Sequence, residues 1–210
     1  MKNDAFYLDG YRHALDNAKS LLDIATCASE MNNRGAGTSL CILSAEESIK
    51  AVFILQQSVN PNQKISDYED IFKSHKTKHE YIVELFKQMD RFRFKILEEY
   101  GKVRHDRKLR RKVARKNPKI MKTVDWAFQN FKSIPEMMDT FDWFEKANVQ
   151  KNYGLYLGLN QQKGAWNIPI KTEAIVFKRA LRNAKNIYEY AVYSKEILTD
   201  PSVIKKHQTE

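Results

Sequence analysis

The chain has 210 residues, 42% of them hydrophobic and 30% charged, which suits one globular domain with a sizeable core and excludes a disordered tail. Only 7 Gly and 5 Pro are present, so the many tight turns of a strand-rich fold are excluded and a few long helices are favoured. The net charge is +10, and it is not spread evenly. Eleven basic residues and one acid, Asp106, lie between Lys102 and Lys122, while the rest of the chain balances at 25 of each sign. Concentrated positive charge of this kind attracts polyanions.

From the N-terminus, residues 5–32 predict an amphipathic helix. Leu8, Tyr11, Leu15, Ala18, Leu22 and Ala25 fall three and four apart on one stripe. Asp4 suits its N-cap, and Gly35-Ala36-Gly37 suits its termination. No apolar leader follows Met1, and the most apolar run, Leu40 to Leu55, is broken by Glu46, Glu47 and Lys50. A soluble cytoplasmic protein with no membrane contact is expected. Cys27 and Cys41 lie in apolar stretches without metal-ligand spacing and are expected to be buried free thiols.

The second helix is expected from about Thr38 to Ser58. It is apolar on nearly every side and therefore central. Asn60-Pro61-Asn62 breaks it, and a short turn over Tyr68 to Lys73 leads to a third helix from about Thr77 to Lys116, stopped by Pro118. One or two helices then cover Lys119 to Val149, with Pro135 suited to a first turn. Tyr153 to Leu159 alternates like a strand, and Gln162-Lys163-Gly164 offers a turn. Thr172 suits the cap of a last helix ending near Leu198. The expected fold is all-α, a single-domain helical bundle over residues 1–210, with a short extended or hairpin segment near 153–169.

Three groups of residues can carry chemistry. Glu46, Glu47 and Lys50 interrupt the apolar second helix, and Glu46 and Lys50 stand one turn apart. They are either an ordinary ion pair or a functional site, because buried charge must be paired or used. His75 and His79 also lie one turn apart, beside Lys76 and Lys78. Imidazole next to cations suits metal-independent RNA cleavage: one group takes the 2′-hydroxyl proton while another supports the phosphate charge. No third ligand has a spacing that suggests a metal, and no cofactor fingerprint is present. Within the basic stretch, Arg104, Arg107, Arg110, Arg111, Lys112 and Arg115 are candidates for RNA phosphate contact; such contact gives affinity without sequence readout.

Taken in order, Ser44-Ala45-Glu46-Glu47-Ser48-Ile49-Lys50-Ala51, Phe72-Lys73-Ser74-His75-Lys76-Thr77-Lys78, and Gly154-Leu155-Tyr156-Leu157 with Trp166-Asn167-Ile168-Pro169 resemble the AbiV family of abortive-infection proteins. Ser48-Ile49 departs from the leucine-glycine usual there, and Gly158 stands where an acid often follows. The resemblance implies a HEPN-like helical fold, a homodimer, and phage defence by translation shutdown. It also implies RNA cleavage, with Glu46, Glu47, Lys50 and His75 as the proposed site. The arginine-to-histidine spacing usual in HEPN ribonucleases is absent here, whereas Glu46 and Lys50 fit a secondary feature of that group. Two other readings stand beside cleavage. One is a non-catalytic binder of RNA or ribosomes. The other is an interaction module that senses a phage-encoded protein through Tyr156 and Trp166.

Overall fold

In the computed structural model, the described residues are 4–59, 106–116, 134–160 and 164–198, with the single positions Pro118, Met121 and Asp125. Their elements are helices α1 (Asp4–Glu30), α2 (Arg34–Val59), α3 (Arg107–Lys116) and α4 (Ile134–Leu155), strands β1 (Gly158–Asn160) and β2 (Ala165–Asn167), a 3-10 turn (Pro169–Lys171) and helix α5 (Ala174–Leu198). The all-α architecture expected from the sequence is the one observed, with one antiparallel hairpin that pairs Gly158 with Asn167 and Asn160 with Ala165.

Helix α2 is central because it offers apolar or small residues on every side. Ile42, Ile49, Val52 and Phe53 are buried and join Leu22 and Ala25 of α1, Phe144 and Ala147 of α4, and Ala180, Ala184 and Ile187 of α5 in one core. Full burial of each large aliphatic or aromatic side chain contributes about 1.5–3 kcal/mol. The predicted α1 stripe is the one used: Tyr11, Ala18, Leu22 and Ala25 are buried, with Leu8 and Leu15 half-buried at its edge. The helices α1 and α2 run antiparallel, with Gly10 beside Ile54, Ala18 beside Ser44 and Ala25 beside Gly37. Small residues let the two backbones close. The hydroxyls that this closeness buries find carbonyls: Ser44 donates to Ala18 O at 2.7 Å, Thr38 to Arg34 O at 2.8 Å and Ser48 to Ser44 O at 2.9 Å.

The turn between α1 and α2 differs from expectation. Asn32, at a φ of 60°, ends α1, with Asn33 N–H donating to Ala28 O and Asn32 N–H to Ser29 O. Asn33 then opens α2, its Oδ1 accepting from Ala36 N–H at 3.3 Å. Gly35 and Gly37 lie within the first turn of α2 and serve close approach. A Cβ at Gly37 would sit 2.9 Å from Ala25 O, and one at Gly35 would strike Pro169 O.

Other boundaries shift as well. Tyr153 to Leu155 close α4 as helix, and extended backbone begins only at Gly158. Thr172 does not cap α5, because its hydroxyl donates to Pro169 O at 2.8 Å to close the 3-10 turn. The first-turn amides of Val176 and Phe177 bond Glu173 O instead. A continuous third helix over 77–116 is not formed. The chain is non-helical at Asp106, whose Oδ1 accepts from Lys108 and Leu109 N–H at 2.9 and 3.0 Å and starts α3 afresh. The turn expected over 68–73 and the segment 77–105 lie outside the described residues. Pro135 does occupy the first turn of α4.

Of the two thiols, Cys41 is buried as expected, and burial pushes it up to about 12, whereas Cys27 is exposed on the outer face of α1. A neutral-pH thiol reagent is therefore expected to label Cys27 in the folded protein and Cys41 only after denaturation. Rapid loss of both thiols without denaturant would contradict this burial. Gly154 packs where a Cβ would meet the Ser39 hydroxyl and the Gly35 backbone. Gly154→Ala should cost about 1–3 kcal/mol. Melting would then fall by roughly 2–4 °C for each kcal/mol. An unchanged melting temperature would show that α4 can move away from α2.

Candidate functional site

Among the described residues, Glu46, Glu47 and Lys50 of α2 enter two ion pairs that point different ways. Glu46 reaches across to α4, where Lys151 Nζ donates to its Oε1 at 2.6 Å. Both side chains are buried, with 5% of Glu46 and 10% of Lys151 exposed. Lys50 pairs with Glu47, three residues back on the same helix. The i,i+4 spacing predicts Glu46 as the partner of Lys50; instead, Glu46 is used between helices. Lys50 is buried, whereas Glu47 keeps a partly open carboxylate.

Lys151 is held from both ends. Its backbone carbonyl accepts the Ser39 hydroxyl at 2.7 Å while its ammonium meets Glu46. Two turns of α2 thereby grip one residue of α4. The local sequence explains the geometry: Thr140, Phe144, Ala147, Lys151 and Gly154 recur at threes and fours along the buried face of α4. Lysine on that stripe must be paired, since an isolated buried ammonium is prohibitively desolvated. The sequence reading missed Lys151, although its place on an apolar stripe was a usable signal.

A second buried polar residue was also missed. Asn183 lies on the inward face of α5 between Ala180 and Ile187. Its Oδ1 faces Thr140 Oγ1 at 3.5 Å and Arg182 Nε at 3.4 Å, and its Nδ2 has no partner among the described residues. Outside it, Asp139 meets Arg179 at 2.7 Å and Arg182 at 3.8 Å, fastening α4 to α5 at the surface.

Within the basic stretch, the described residues Arg107–Lys116 form a cationic helix. In α3, no residue is buried, and Arg107, Lys108, Arg111, Lys112, Arg115 and Lys116 are all exposed. Arg110 stands apart, half-buried, with Nη2 donating to both oxygens of Asp125 at 3.0 and 2.9 Å. It ties the helix to the following segment, which leaves it less free for phosphate than its neighbours. His75, His79, Lys76, Lys78 and Arg104 lie outside the described residues.

At the far end of α4 the aromatic block faces solvent. Tyr156 is 65% and Trp166 64% exposed, and Leu157, Ile170 and Ile175 join them. Gly154 and Pro169 both abut Gly35, so these side chains gather at one end of the bundle. Among the described residues, no group of His, Cys, Asp and Glu is placed to hold a metal, and no helix is long and apolar enough to cross a membrane.

The buried pair makes a sharp energetic statement. Lys151→Met alone should cost about 3–5 kcal/mol by stranding Glu46. The double variant Glu46→Leu/Lys151→Met should recover most of that loss in urea unfolding. A double variant no more stable than the single one would show that the two charges are not coupled.

Comparison with known proteins adds one match. No curated protein and no solved structure matches the chain. The family model HEPN_AbiV, described as AbiV, matches residues 6–189, a span that takes in nearly all of α1, the charged centre of α2, the cationic α3, the exposed aromatic end and most of α5. By that match over most of its length, the chain belongs to the AbiV family of HEPN proteins.

Proposed function

We propose that this protein is an abortive-infection effector that shuts down translation in infected cells by engaging RNA or the ribosome through α3. The observation that carries this reading is the set of six exposed cations on α3 with no acid among them. Solubility does not require such density, and phosphate rows are its natural counterpart. Family membership supports antiphage defence as the setting. The exposed apolar end around Tyr156 and Trp166 supports a protein contact there. In this proposal a phage-encoded protein supplies the trigger and the effector works as a homodimer in the cytoplasm.

Metal-independent RNA cleavage is the second reading, favoured by Glu47, the carboxylate of the α2 pairs that stays partly open to solvent. In it, Glu47 and Lys50 act with His75 and His79: one group takes the 2′-hydroxyl proton and the cations steady the phosphate. Glu46 would act only indirectly, since its carboxylate is engaged by Lys151.

The deciding experiment incubates the purified chain with total bacterial RNA in EDTA, alone and with lysate from phage-infected cells. The binding reading expects intact RNA. It also expects affinity that falls with salt at a log–log slope of about −4 to −5 for six phosphate contacts, and loss of cell protection in Arg111→Glu/Arg115→Glu but not in His75→Ala. Discrete fragments that vanish in both His75→Ala and Glu47→Gln would replace binding with cleavage. Intact RNA without salt-sensitive binding would overturn both readings.

A further inference from the structure

The arrangement of cations on α3 carries more than their number. A helix advances about 100° per residue, so Arg107, Arg111, Arg115, Lys108, Lys112 and Lys116 fall in that order across roughly 180° of its circumference. Arg107 and Lys116 therefore stand on opposite flanks, with Arg115 and Lys108 on the crest between them. The other half carries Leu109, exposed beside Lys116, and Val113, Ala114 and the Arg110 that binds Asp125, these three half-buried. A flat anionic surface, such as a lipid leaflet, meets only the crest of a helix. A single strand of phosphates tracks one row. A half-cylinder of positive charge is matched by a concave partner with phosphates on both walls.

We infer that α3 seats lengthwise in the major groove of a structured RNA, at a place where a bulge or internal loop has opened that groove. The inference rests on the reading that α3 holds RNA, and it names the kind. The dimensions fit: ten residues of helix span about 15 Å, and a helix with side chains is about 10–12 Å across. The regular A-form major groove is deep and too narrow for side chains to enter and read. An unpaired bulge widens it, and the two flanks of α3 then reach phosphates of opposite strands. Asp106 fixes the start of the helix, so the cations arrive already in register.

The test is a fluorescence-anisotropy titration of the full chain against four labelled probes of equal length. They are an RNA hairpin with a bulge, the same hairpin fully paired, an unstructured RNA strand and a DNA hairpin. The bulged hairpin should bind at least ~10-fold more tightly than the paired or unstructured RNA, a difference of about 1.4 kcal/mol. Two variants probe the flanks, Arg107→Glu/Arg111→Glu on one side and Lys112→Glu/Lys116→Glu on the other, each checked for an unchanged melting temperature. Both should weaken the bulged probe to a similar degree, because each removes one wall. Unstructured RNA that binds as tightly as the bulged hairpin, or one flank that proves dispensable, would overturn the groove while leaving RNA binding intact. DNA bound as tightly as the bulged RNA would overturn RNA as the occupant. No salt-sensitive binding to any probe would remove the proposed function itself.

Discussion

The pairing of Glu46 with Lys151 is the constraint from which the arrangement of this bundle follows. Helix α2 is otherwise so apolar that it could pack in many rotations about its axis. A buried carboxylate permits only the rotation that brings a cation to it, and a buried lysine on α4 imposes the reciprocal condition. The Ser39 bond to the Lys151 carbonyl then fixes the height of α4 along α2 as well as its angle. With α4 set, Gly154 can press against Gly35 and Ser39, and the hairpin and the 3-10 turn are delivered to the same end. Helix α5 starts from there and runs back beside α2 until the Tyr11 hydroxyl donates to Ala191 O at 3.0 Å.

This division of labour keeps charge and apolar surface apart. Inside the bundle, positive and negative charges occur as neighbours and cancel. Outside, α3 gathers cations without acids, and the end around Tyr156 and Trp166 gathers exposed apolar side chains. Two surfaces of opposite chemistry are thereby presented by different segments of one chain. The family assignment sits comfortably with that arrangement, since its match runs across the segments that build both surfaces.

Much of this was legible in the sequence because burial in helices follows simple periodicity. The α1 stripe, the central place of α2 and the exposure of six cations on α3 follow from residue type and spacing. Where the reading failed, local chemistry had rivals of equal strength. Glycines at 35 and 37 looked like a helix end, but asparagines at 32 and 33 did that work, and the glycines were needed for contact with distant chain. Tyr153 to Leu155 alternates like a strand, yet helix α4 continues through it because Gly154 docks on α2. Cys27 sits in an apolar-looking run but on its outer face. Of the candidate site, spacing singles out Glu46, Glu47 and Lys50 but pairs Lys50 with Glu46 and not with Glu47, and it leaves Lys151 unnamed. An interhelical pair depends on a residue 105 positions away, and no local spacing encodes it.

Asp106 is the lone acid among eleven basic residues, and by charge alone it opposes whatever the stretch attracts. Its carboxylate nevertheless begins α3 by accepting two backbone N–H groups. The tolerance of this segment to random substitution should therefore be lopsided. Each cation shares its task with five others, so drift can exchange one of them with little effect. The residue that contributes nothing favourable to the field has no understudy, and losing it would unravel the register on which all six depend.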